Sequence, residues 1–235
     1  MKKLYIFTIM VLSAVFFLPP ASIMAAGNES AKVEEATAVL NEIMRIPEKS
    51  IPPSLLRHAY AVGIVPNVIK AGLVIGGRYG TGILIVRQED MKWSPPSFIS
   101  LTGGSIGWQI GVASTDVILV FKNKKSIDKI TRGKYTLGAD VAVAAGPIGR
   151  SASASTDVAF RAEIYSYSRS RGIFAGVSLE GSALRIDHSA NEAFYGRKGI
   201  FPKEIFQGQN IDVPLEAVNF METLTKYTQR PLQNE

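Results

Sequence analysis

The sequence predicts an α+β fold: a single domain built on a strongly curved, Gly-rich antiparallel β-sheet with flanking helices. Three observations predict it. First, Tyr165–Gly181 reads as two short strands around a turn. Tyr165 and Tyr167 alternate with Ser166 and Ser168, the period of a pleated strand. Arg169-Ser170-Arg171-Gly172 breaks the pattern, and Ile173, Ala175, Val177 and Leu179 then form one face of a second strand. Gly176 sits inside that strand, where glycine marks a close approach of another segment. Second, stretches 71–86 and 97–112 mix β-branched residues with many glycines. Third, the helical period is clearest near the two chain ends. About seven or eight strands are expected, curled towards a barrel, with a two-sheet sandwich as the competing architecture.

The elements follow in order. Lys2 and Lys3 precede an apolar run, Leu4 to Leu18, then Pro19-Pro20 and small residues at 21–26. This is the pattern of a signal peptide over 1–26, cleaved after Ala25 or Ala26. It places the mature chain in the periplasm or outside the cell. The run is short for a membrane span, which takes roughly 20 residues. The chain has no cysteine, so neither a lipid-bearing cysteine, a disulfide nor a thiolate metal site is available. The formal charge is +6, and loss of Lys2 and Lys3 leaves 24 basic and 20 acidic side chains. A mildly basic surface suits an acidic partner without demanding one.

Residues 27–50 read as an N-terminal helix and linker, and 51–230 as the main domain. Ser30 to Arg45 carries the stripe Val33, Ala36, Leu40 and Ile43, with Met44 beside it. Its polar face mixes acids and bases, which favours a helix packed on its own domain over one lying on a membrane. Ser54 to Val62 reads as a second helix, and Pro66 stops it or closes the turn that follows. In 71–86 two strands are expected around Arg78–Thr81. Trp93-Ser94-Pro95-Pro96 is a rigid loop, and Val117–Phe121 a strand buried on both faces.

Six bases and one acid, Asp128, then fall within 122–134. Lys122, Lys124, Lys125, Lys129, Arg132 and Lys134 surround a short helix, Ser126 to Thr131. Directly after a buried strand, they belong at one rim of the sheet, where they can meet anionic head groups. Further on, Gly104-Ser-Ile-Gly107 echoes Gly146-Pro-Ile-Gly149, and Ala113-Ser-Thr-Asp-Val117 echoes 154–158, as two similar β units would. Asp187 or Ser189 caps a helix through Tyr195, with Gly196 past its end. Pro214 to Tyr227 is a last helix with Leu215, Val218, Met221 or Leu224, and Tyr227 along one side.

Catalytic patterns are weak. Gly103-Gly104-Ser105-Ile106-Gly107 fits G-x-S-x-G, but strand-type residues follow where a hydrolase needs a helix. Gly77-x-x-Gly80-x-Gly82 has the wrong order for a nucleotide loop. His58 and His188 have no partner at ligand spacing. Asp116, Asp140 and Asp157 are read as turn-closing carboxylates. The expectation is a protein that is not an enzyme, with no catalytic residue, metal or cofactor and no nucleic-acid partner; a serine hydrolase using Ser105 is the weaker alternative.

The run SYSRSRGIFAGVSLEG, with Tyr195-Gly196 downstream, resembles the SYLF domain, a lipid-binding module. Trp93-Ser94-Pro95-Pro96, Gly107-Trp108-Gln109-Ile110-Gly111, Ser114-Thr115-Asp116, Leu137-Gly138-Ala139-Asp140 and Gly146-Pro147-Ile148-Gly149-Arg150 keep the family's order. They span roughly Ile51 to Gly199. The resemblance implies phosphoinositide or anionic phospholipid binding at a membrane surface, and actin binding in fungal members, without agreed catalytic residues. It also implies a competing contact on the N-terminal helix, Lys49 and Arg57. A structural or protein-interaction role in the cell envelope, with an unidentified partner, remains the alternative function.

Overall fold

The computed structural model describes residues 21–45, 50–72, 75–106, 111–133, 135–148, 162–170, 173–176 and 179–229. The alternation and β-branching of the central strands produce one nine-stranded sheet among these residues. Its order is β5 (Tyr135–Thr136), β9 (Ser182–Ile186), β3 (Ser97–Ile106), β2 (Ile75–Val86), β1 (Ala61–Gly72), β4 (Gly111–Phe121), β7 (Ile164–Ser170), β6 (Val143–Ala145). The remaining strand, β8 (Ile173–Gly176), also pairs with β7. Every pairing is antiparallel except β6 with β7. The sheet curls into a half-barrel and is open between β5 and β6, so it is neither a closed barrel nor a sandwich.

Both faces of the sheet are buried, which is why its middle strands read as almost continuous apolar runs. The outer face, with Val62, Ile64, Ile83, Ile85, Phe98, Ile118 and Val120, packs under helices. These are α1 (Ala21–Arg45), α2 (Pro53–Arg57), α4 (His188–Tyr195) and α6 (Leu215–Gln229). The inner face gathers Val65, Leu84, Ile99, Leu101, Val117, Leu119 and Phe121. Helix α3 (Lys124–Thr131) fills one end of that concavity with Ile127 and Ile130. A sixth helix, α5 (Pro202–Gln207), has no forewarning in the sequence pattern.

Several elements differ from expectation, each for a local reason. Helix α2 stops at Arg57, and Pro66 lies inside β1 rather than at a turn. Between Val65 and Val68, β1 carries one more residue than β4, and Asn67 takes φ 52 there. This bulge accommodates the proline, whose missing N–H suits an interrupted ladder. Arg78–Thr81 is not a turn: β2 runs straight through it, with Arg78 opposite Lys70. The glycines there signal crowding, not chain reversal. Gly104 lies in β3 while Gly146 follows the edge strand β6, so this echo does not mark two equal units. Residues 154–158 and Asp157 lie outside the described residues, as do residues 1–20 of the expected signal peptide.

Helix α1 begins at Ala21, earlier than the expected Ser30. Its stripe is buried as expected: Val33, Ala36, Leu40, Ile43 and Met44. In α6 the buried residues are Ala217, Phe220, Leu224 and Thr228, whereas Leu215 is exposed. Leu224, the alternative to Met221, is buried as expected, whereas Leu215 looks inward by type alone. Asp187 caps α4 by accepting from the Ala190 N–H, and Gly196 ends it in the left-handed region, both as expected.

Glu29 of α1 gives a first prediction. Burial and the nearby Asp187 carboxylate push its pKa up. The folded pKa therefore exceeds the unfolded one, and protonation favours the fold. That contribution is full below the unfolded pKa and is lost as pH rises through the folded pKa. Glu29→Gln should raise the melting temperature at about pH 7, with the gap closing towards about pH 4. A gap of the same size at both pH values would contradict this.

Candidate functional site

Strand β4 ends at Phe121, and the chain turns at once into α3. Lys122 N–H donates to the Glu163 carbonyl at 2.9 Å, anchoring the turn to the start of β7. Asn123 is the N-cap: its Oδ1 accepts from the Ser126 N–H at 3.2 Å, and its Nδ2 donates to Glu163 at 2.9 Å. Capping fixes the helix rotation. Ser126, Ile127 and Ile130 are buried beneath it. The opposite face follows from the helical period: Lys125, Lys129 and Arg132 lie at i, i+4 and i+7, with Lys124 beside them.

Lys122, Lys124, Lys125, Lys129 and Arg132 are all exposed. Lys129 donates to the Asp140 carbonyl at 3.1 Å, and its ammonium stands 5.9 Å from the Tyr135 ring centre. Among the described residues, Lys124, Lys125, Lys129 and Arg132 join no salt bridge. The face can therefore offer its charge outward, with Asp128 as its one acid. Lys134 and Lys49 lie outside the described residues. Arg57 ends α2, only three residues before Tyr60, whose N–H donates to Phe121 O at 2.8 Å. It thus belongs to the same end of the sheet as α3, although it is half-buried.

Sequence reasoning did not place two further side chains here, one arginine and one histidine. A cleft of about 300 Å³ opens at the end of α3, lined by Ile130, Thr131, Gly133, Arg185, Ile186 and His188. Arg185 and His188 are exposed and come from β9 and the first turn of α4. They are more than fifty positions from α3 in the chain, so only the β9–α3 packing brings them close. No local signal could have found them.

The other chemistry-bearing residues have structural positions. Ser105 lies in the β3 ladder opposite Gly76, not at a strand-to-helix elbow. Asp140 closes a turn, accepting from the Thr136 N–H at 2.7 Å. Asp116 does not: it sits within β4, buried, and binds across the sheet. Its Oδ1 accepts from the Asn67 N–H at 3.0 Å and its Oδ2 from Arg169 Nε at 2.8 Å. Arg169 also pairs with Glu42 of α1. This cluster ties α1 to the bulge in β1 and to β7. His58 is exposed, its Nδ1 2.7 Å from Ser54 O.

A family profile described as "Ysc84: Las17-binding protein actin regulator" matches residues 102–227, which include α3 and the cleft. The chain is 34% identical over 209 residues to "SH3 domain-containing YSC84-like protein 1" of Xenopus laevis, covering 86% of this chain and 62% of that protein. It is 37% identical over 180 residues to "Protein YSC84" of Saccharomyces cerevisiae, covering 75% and 38% of the two. With "LAS seventeen-binding protein 3" of the same yeast it shares 36% identity over 180 residues, covering 75% and 39%. The chain thus spans between 38% and 62% of the length of these relatives.

Proposed function

The chain belongs to the Ysc84 (SYLF) family, and on that premise we propose that it is a lipid-contact module of the cell envelope. It binds an anionic phospholipid surface, of phosphoinositide or other acidic type, through the outward face of α3. One observation carries this reading: Lys124, Lys125, Lys129 and Arg132 stand exposed around one side of a helix whose other side is locked into the core. Each base near an anionic bilayer contributes about 1 kcal/mol, so together they give weak, salt-sensitive binding. The signal pattern at 1–26 supports export to the periplasm or beyond. The ladder position of Ser105 and the ion-paired Asp116 support a non-catalytic role.

The test is co-sedimentation with vesicles containing phosphatidylserine. Replacing Lys124, Lys125 and Lys129 with glutamine should lower partitioning at low salt by about two orders of magnitude, at about 1 kcal/mol per base. Binding equal to the parent, together with loss on deleting residues 27–46, would move the contact to α1. The apolar stripe of α1 is buried in the fold, which argues against that outcome. A second reading has its own support. The names of the family and of one yeast relative denote binding to Las17, so a protein partner at the same face is the alternative. A variant that binds vesicles normally would favour it.

A further inference from the structure

We propose that Arg185 and His188, across the cleft from α3, belong to the anionic contact face, and that His188 makes this contact tighten as pH falls. The inference rests on the α3 reading and deepens it: two residues from other elements join the face, and one of them regulates it.

The sheet brings these groups together. Soon after α3 ends, Tyr135 of β5 pairs with Leu184 of β9, so the chain leaving the helix arrives beside β9 at a strand spacing of about 4.8 Å. Gly133 and Ile186 accordingly both line the cleft. Arg132 lies in the chain between Thr131 and Gly133, two residues of the cleft wall, and so borders it too. Ile130 and Ile186 supply apolar lining, while Arg185 and His188 come from β9 and from the first residue of α4. Arg185 and His188 are exposed, as are Lys129 and Arg132. Among the described residues, neither Arg185 nor His188 joins a salt bridge.

Acids stand on the same elements, and each has a partner within the fold. Asp187 adjoins His188 in the chain, but its carboxylate accepts from the Ala190 N–H at 3.1 Å and acts on Glu29 of α1. Glu29 in turn feels Lys32 on its own helix. Glu192, one turn along α4, accepts from the Gly199 N–H at 2.8 Å. Asp128 of α3 acts on Tyr60. Around His188 the exposed cations are therefore Arg185 on β9 and Lys129 and Arg132 on α3.

An imidazole takes up its proton within about pH 5–8. Neutral, it leaves Arg185 as the charge on its side of the cleft; protonated, it adds a second. An anionic surface favours the protonated form, so the protein binds that surface more tightly as pH falls. One added charge at such a surface changes partitioning about fivefold at low salt. The chain's second histidine, His58, is the C-cap of α2, with its Nδ1 2.7 Å from Ser54 O, and is not part of the cleft lining.

The test is co-sedimentation with vesicles of phosphatidylcholine and phosphatidylglycerol, whose phosphodiester keeps its charge, at about pH 7.5 and about pH 5.5, on either side of the ordinary imidazole value. The unaltered protein should bind about fivefold more tightly at the lower pH. That gain should shrink as salt screens it. His188→Gln should remove the gain and match the parent at the higher pH. His188→Lys should bind at both pH values as the parent does in acid, which a purely structural imidazole would not produce. His58→Gln and Glu29→Gln should keep the gain. Arg185→Gln should weaken binding about fivefold at both pH values and leave their ratio intact. His58, Arg185 and His188 are exposed, so the fold should survive their replacement. A parent that binds equally at both pH values overturns the proposal and leaves the α3 reading standing. So does a gain that persists in His188→Gln, or an Arg185→Gln variant that binds like the parent. An α3 glutamine variant that binds like the parent and keeps the His188-dependent gain removes α3 from the contact and leaves the cleft residues in it. Binding at neither pH overturns both readings.

Discussion

Replacing Gly82 with alanine should destabilise the fold by about 3 kcal/mol or more, at the upper end for an overpacked core site. Gly82 lies in β2, where the β1 bulge folds back against it. A Cβ there would overlap the Ile64 carbonyl and come within 2.6 Å of Val65 Cα. Both are backbone atoms of a strand paired on each side, so neither can swing away as a side-chain tip could. Relief would require the bulge to move, and with it the Asn67 N–H that binds Asp116. Domains hold only about 5–15 kcal/mol of net stability, so little folded protein should accumulate. Gly104→Ala is the matching control, because its Cβ would meet open space. Thermal unfolding should separate the two variants widely. Equal melting temperatures would mean that the bulge does not pack as described.

Arg169→Met should cost about 3 kcal/mol, because breaking a buried ion pair strands the remaining charge. The Asp116 side chain is 8% exposed and Arg169 26%, so solvent can relieve only part of the loss. The methionine keeps much of the volume, so the effect reports charge and hydrogen bonding rather than a cavity. The deficit should shrink in acid, where protonation of Asp116 removes the stranded charge. The damage should also reach α1, since Arg169 links Glu42 to the sheet. Hydrogen exchange should show faster opening at Val39–Met44 in the variant. Stability equal to the parent would reduce the cluster to a surface contact.

The fold class was legible because two periods dominate the chain. Tyr165 and Tyr167 alternate as strand residues and are both fully buried, and Val33, Ala36, Leu40 and Ile43 recur as helix residues and are buried too. Asp187 and Gly196 mark helix α4 by capping chemistry alone. The errors come from residues whose meaning depends on distant partners. Pro66 looks like a stop until β4 and β2 are seen to pair around it. Arg78–Thr81 looks like a turn because Gly80 and Gly82 accommodate β1, which sequence spacing cannot show. Asp116 looks like a turn residue until Arg169 arrives from fifty-three positions away. The site divides in the same way. The α3 bases are near neighbours in the chain, so the sequence alone groups them, whereas Arg185 and His188 join them only through tertiary packing.

The central claim is that α3 presents its charge to an anionic membrane. The most direct measurement is vesicle partitioning of the unaltered protein as the phosphatidylserine fraction rises, at low and at moderate salt. At physiological ionic strength the Debye length is about 8 Å, so exposed lysines on α3 should feel the added salt strongly. The account predicts a bound fraction that climbs steeply with anionic lipid and falls between the two salt conditions. A bound fraction indifferent to lipid charge at both salts would contradict it.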